Sequence, residues 1–223
     1  MEAGVEELVQ VLRNGCEHDE AIRKLDELNS METGVVLKTF LQLRRNFDLP
    51  LQVSKACLVH FKNALIKWHE LDQSVKDDIK KTVLDHYRLS PYNFLRSKSE
   101  PLEAVARAVF SSGSWPEFFD VVLAELYKSC DEGACSYEQE SGMSLLDTIV
   151  DLYQTLALQY AGRIMRVSRY ILSHGSDERA RYSALVMINK KCFRPYLKKE
   201  AKQRRYIRNS CYVLSREKRR RRA

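Results

Sequence analysis

The chain has 223 residues, room for one large domain or a domain with an appendage, and its 44% apolar and 30% charged residues exclude a wholly disordered polymer. Only 8 Gly and 5 Pro occur, a scarcity of turn-forming residues that favours long helices over many short strands. The net charge of +7 hides a split: residues 1–162 hold 17 Lys and Arg against 26 Asp and Glu, whereas residues 163–223 hold 20 against 4, an asymmetry that points to a segment meeting a polyanion or a partner.

In chain order, the opening Met1-Glu2-Ala3-Gly4-Val5-Glu6-Glu7 is acidic where a secretory signal needs a basic start and an apolar run, so an intracellular protein is expected. Charged residues interrupt every apolar stretch before it reaches the roughly 20 residues that span a bilayer, and no membrane role is expected. Apolar residues then recur at helical spacing, predicting helices over about 19–29, 33–46, 51–71, 74–88, 94–111 and 114–129. The clearest stripe is Val53, Ala56, Cys57, His60, Phe61, Ala64, Leu65, Trp68 and Leu71. Ser114 can cap the last of these helices, with Pro116 in its first turn and Glu117 completing a capping box.

Paired in sequence, 19–29 with 33–46, 51–71 with 74–88 and 94–111 with 114–129, these helices make hairpins starting near Asp19, Leu51 and Phe94, at offsets of 32 and 43 residues. Hairpins at that period are the mark of stacked α-repeats, although the spacing alone also fits an irregular bundle. Residues 130–143 are rich in small and acidic residues and read as an acidic loop. From Leu145 to Ile171 the spacing predicts one long helix, ended by Ser173-His174-Gly175-Ser176, and Asp177 and Glu178 favour another start for a helix over 177–192. The organisation expected is therefore a helical-repeat region over 1–129, the loop, a helical continuation over 144–197 and a basic tail, partly disordered, over 198–223.

Chemistry finds little foothold. There is no glycine-rich phosphate loop, no Gly-x-Ser-x-Gly elbow and no His-Glu-x-x-His pair, so a non-enzymatic protein without a cofactor is expected. Cys16, Cys57, Cys130, Cys135, Cys192 and Cys211 are scattered, and Cys130 with Cys135 lacks the second pair that a zinc site requires. His60, on an apolar stripe, reads as a hydrogen-bonded core residue.

The basic segment is the strongest functional feature. Lys190, Lys191, Arg194, Lys198, Lys199, Lys202, Arg204, Arg205 and Arg208 accumulate there, and Lys218, Arg219, Arg220, Arg221 and Arg222 run unbroken. Such a cluster binds nucleic acid through counterion release, and the interleaved Tyr196, Tyr206 and Tyr212 suit stacking on unpaired bases, which favours RNA. Two rival readings stand beside it: a nuclear localisation signal read by an import adaptor, and a solvated tail or one folded back on the acidic body. The binding candidates taken forward are Lys198, Lys199, Lys202, Arg204, Arg205, Arg208 and Lys218 to Arg222.

Residues 20–129 resemble the N-terminal region of the importin-β and exportin (karyopherin) family of nuclear transport receptors. The likeness lies in EAIRKLDELN, VVLKTFLQL, QVSKACLVHFKNALIKWHEL with its Lys62, Asn63, Leu65, Ile66, Lys67 and Trp68, and SVKDDIKKTVLDHY with Lys76, Ile79, Lys80, Val83 and Leu84. FLRSKSEPLEAVARAVF followed by SWPEFFDVVLAEL, with its Trp-Pro-x-Phe helix, extends it. The resemblance implies an antiparallel HEAT-type α-solenoid that binds the GTPase Ran in its GTP state and a cargo, moving between nucleus and cytoplasm; it transfers no individual Ran contact, and the repeat pattern stops near residue 130. Residues 21–71 also resemble the small helical N-terminal domain of transcription elongation factors, which would imply a module for short disordered partner motifs.

Overall fold

The computed structural model describes residues 23, 26–28, 32–45, 51–89, 95–131 and 136–202. Among them the only regular structure is helical. Helix α1 spans Thr33–Arg45, α2 Leu51–Ala64, α3 Gln73–Leu89, α4 Leu95–Phe110 and α5 Pro116–Asp131. Then come α6 over Ser136–Leu152, the short α7 over Gln154–Gln159, α8 over Ala161–His174, α9 over Glu178–Asn189 and α10 over residues 194–202. Of the helix expected over 19–29, residues 23 and 26–28 are described and helical; the rest lies outside the described residues.

Each helix buries the stripe its spacing marks. Leu37, Phe40 and Leu41 of α1 share one buried core with Cys57 and Phe61 of α2, and the same core continues through Ile79 and Val83, Leu102 and Val105, Leu146 and Ile149, and Ile164 and Val167. At roughly 1.5–3 kcal/mol for each fully buried large apolar side chain, this continuous interior is the main force holding the helices together. The 51–71 stripe is one run in sequence but two elements in space. The α-helix gives way after Ala64 to a 3-10 segment, Leu65–Glu70, with Lys67 outside helical geometry, and Leu65 and Trp68 stay buried.

The packing partners differ from those that chain order suggests. Helix α1 packs on α2, α3 on α4, α5 on α6 and α8 on α9, whereas 51–64 with 73–89 and 95–110 with 116–131 are not among the closely packed pairs. An apolar face says which side of a helix is buried, not which neighbour buries it. Beyond these pairs, contacts run in two series: α1 to α3 to α5 to α8, and α2 to α4 to α6 to α9. Both continue past residue 130, where the sequence shows no further repeat.

The acidic loop expected over 130–143 is largely helix, because α6 begins at Ser136. Its Ser141 and Gly142, which look like loop residues, are buried. A Cβ on Gly142 would stand 2.7 Å from Leu126 Cδ2 and 3.2 Å from Tyr87 Oη, so the glycine is there to let α6 lie close against α5 and α3. Ser141 Oγ donates to Ser99 Oγ at 2.8 Å, and Gln139 Nε2 donates to the Ser129 carbonyl at 3.0 Å.

Nor does one helix run from 145 to 171. It breaks at Tyr153 (φ −128°, ψ 55°) and at Tyr160 (φ −103°, ψ 8°). Both tyrosines are held from outside their own segment. Tyr153 donates its hydroxyl to the Arg107 carbonyl at 2.9 Å and sets its ring edge-on to Phe110, and Tyr160 stacks on Phe119 with centroids 4.1 Å apart. The breaks carry the chain from α6 in one series to α8 in the other.

The restart after Gly175 follows the sequence closely. Asp177 caps α9, its carboxylate accepting from the Ala180 amide at 2.7 Å, although α9 ends at Asn189, short of the expected 192. Helix α5 starts at Pro116, with the Phe118 amide bonded to the carbonyl of buried Trp115.

Candidate functional site

Helix α10 is fixed to the body on its inner side. Arg169 of α8 donates to both carboxylate oxygens of Glu200, at 2.9 and 2.8 Å, and those charge-assisted bonds hold the Arg169 guanidinium pKa above its ordinary value. The Tyr196 hydroxyl lies 3.0 Å from where a Cβ on Gly162 would stand, so the glycine makes room for it. Phe193, just ahead of the helix, is fully buried. Pro195 falls in the first turn, where its missing N–H costs nothing.

The structure divides the cations that the sequence counts together. Four are engaged by carboxylates. Arg163 bonds Asp120, Arg169 bonds Glu200, Arg179 lies 3.5 Å from Glu140, and Lys190 reaches Asp151 and, at 3.0 Å, Asp147. Burial on its own lowers the Lys190 ammonium pKa, but the bonds to Asp151 and Asp147 outweigh it, and the net shift is upward. Lys190 is thus a tie between the end of α9 and α6.

Arg194, Lys198, Lys199 and Lys202, by contrast, are exposed and have no carboxylate partner among the described residues. The structure therefore brings together Lys198, Lys199 and Lys202 of the candidates and adds Arg194 to them. The spacing of 194, 198 and 202 was already a signal for Arg194. Arg204, Arg205, Arg208, Lys218, Arg219, Arg220, Arg221 and Arg222 lie outside the described residues. Tyr196, expected to stack on bases, is half-buried against α8 instead; Tyr206 and Tyr212 lie outside the described residues.

Two grooves open elsewhere. One, of about 320 Å³, lies between α3 and the start of α5, and its charges alternate: Asp77 pairs with Lys80 at 3.2 Å, and bonds from Gln73 and then Lys80 hold the Asp77 carboxyl below its ordinary range. The other, of about 360 Å³ between α4 and α6, is lined by Glu100, Glu103 and Glu140 with Ser99, Ser141 and Ser144. Arg107 neutralises Glu103 at 2.7 Å.

His60 stacks on Phe40 with ring centroids 5.6 Å apart and sets Nε2 3.7 Å from an Asp26 carboxylate oxygen. Cys57 is buried, Cys130 and Cys192 are half-buried, and Cys135 lies outside the described residues. Among the described residues no cluster of three or more His, Cys, Asp or Glu stands in a position to hold a metal ion, and no helix is long and apolar enough to cross a membrane. No family model, curated protein or solved structure matches the chain.

Proposed function

We propose that this chain is a non-enzymatic helical-repeat binding protein of the karyopherin type, a HEAT-like α-solenoid that docks a protein partner on its repeat body and works between nucleus and cytoplasm. The observation that carries the reading is the double series of contacts, in which each hairpin packs on the next through equivalent helices from α1 to α9. Repeat proteins are built in this way because a lone hairpin cannot bury its apolar face. The run QVSKACLVHFKNALIKWHEL, whose resemblance suggests the family, forms α2 and its 3-10 extension, and α2 packs on α1.

The partner proposed on this ground is a Ran-type GTPase, with cargo further along. Capture of purified Ran by the immobilised full chain, with the GTPase loaded with a non-hydrolysable GTP analogue or with GDP, tests it. Selective retention of the GTP form is the expected result. Equal retention of both forms, or of neither, would remove the transport reading and leave a repeat scaffold of some other specificity.

A further inference from the structure

We infer that the outward face of α10 is a binding site for the phosphodiester backbone of a nucleic acid, independent of whatever the repeat body docks. The first ground is geometric. With a rise of about 1.5 Å per residue and near four-residue periodicity, Arg194, Lys198 and Lys202 stand in a line about 6 Å apart, and Lys199 flanks it. The second is that no carboxylate among the described residues pairs with these charges. Glu200 is the only carboxylate in residues 194–202, and Arg169 holds it on the opposite, inner side.

The third ground separates nucleic acid from an acidic protein as the occupant. Protein interfaces centre on apolar and aromatic anchors and are depleted in lysine. Among the described residues, α10 exposes no large apolar side chain, and three of its four outward cations are lysines. Phosphate oxygens, in contrast, are contacted mainly by Arg and Lys side chains that need no apolar surround. The Arg169 fork and the packed Tyr196 hold the helix against the body, so the cations sit on a backbone that is already ordered and little entropy is lost there on binding.

The test is fluorescence anisotropy of a labelled 20-nucleotide oligouridine with the full chain, titrated across salt concentrations. Three phosphate contacts at about 0.7 each predict that R194Q/K198Q/K202Q lowers the magnitude of the log K against log salt slope by about 2. The variant K55Q/K62Q/K67Q removes the same charge from exposed lysines of α2 and its 3-10 extension, and it is expected to leave that slope nearly unchanged. Equal losses in the two variants would show a bulk charge effect and overturn the site, as would an unchanged slope in the α10 variant. If the α10 variant lost binding to an acidic peptide while oligouridine binding stayed intact, the occupant would be protein and the inference wrong. Circular dichroism of each variant confirms that the fold survives.

Discussion

Replacing Gly142 by alanine sets two effects of opposite sign against each other. In an exposed helix interior the change stabilises by up to about 1 kcal/mol, because alanine is the better helix former. In α6 the new Cβ would stand 2.7 Å from Leu126 Cδ2, 3.1 Å from Leu126 Cγ and 3.2 Å from Tyr87 Oη, and both neighbours are buried. Neither side chain can swing into solvent, so overpacking of about 1–3 kcal/mol is expected to win, for a net loss of up to about 2 kcal/mol. In a chain of this size that lowers Tm by up to roughly 8 °C.

Urea unfolding followed by far-UV circular dichroism and by fluorescence of the buried Trp68 and Trp115 measures the change, with the slope of the transition showing whether the unfolded states are comparable. Combining G142A with L126A is expected to recover part of the loss, since the methyl then enters space the leucine has left, and a coupling of about 0.5–3 kcal/mol should appear in the double-mutant cycle. Stabilisation by G142A alone would refute the reasoning, for it would mean that α6 does not approach α5 and α3 at this point.

Three further outcomes are expected. Burial first, and the nearby Glu125 and Glu138 next, push the Tyr87 phenol above its ordinary pKa of 10.0, so above that pH the unfolded chain releases a proton that the folded one keeps. Stability then falls with rising pH, by about 1.4 kcal/mol per unit from this group, and urea midpoints at pH 8 and pH 10.5 should differ less in Y87F than in the parent. Removing the α9 cap with D177A should cost about 1 kcal/mol in the same assay, with D177N recovering most of it. K190A should cost about 1–2 kcal/mol, less than the loss for a fully buried pair because Asp151 faces water, and the cost should shrink in 1 M NaCl.

Helix content and most helix boundaries were legible in the sequence, since stripes such as Val53 to Trp68 and Leu102 to Phe110 carry a period that only a helix satisfies. The start of α9 was legible for the same local reason: an acidic residue beside a glycine-containing break tends to cap the helix that follows. What escaped was set by tertiary contact. Gly142 carries the same letter whether it opens a loop or admits Leu126, and Tyr153 and Tyr160 fit a helical stripe while in space they end one segment and begin the next.

At the basic end, composition marked the region but could not sort its members. Lys190 and Lys198 look alike in sequence. Only the approach of Asp147 and Asp151 makes the first a structural tie, whereas the second has no carboxylate partner among the described residues.

The two contact series have a consequence for how the molecule is made and undone. From α1 to α9, the close partners of each helix lie no more than three helices away along the chain, so every loop that folding must close is short. A polypeptide with such local topology forms its contacts without waiting for its ends to meet. Pulled from its termini in an optical trap, it should lengthen in several small steps, one hairpin releasing after another, where a closed globule would give way in a single rip.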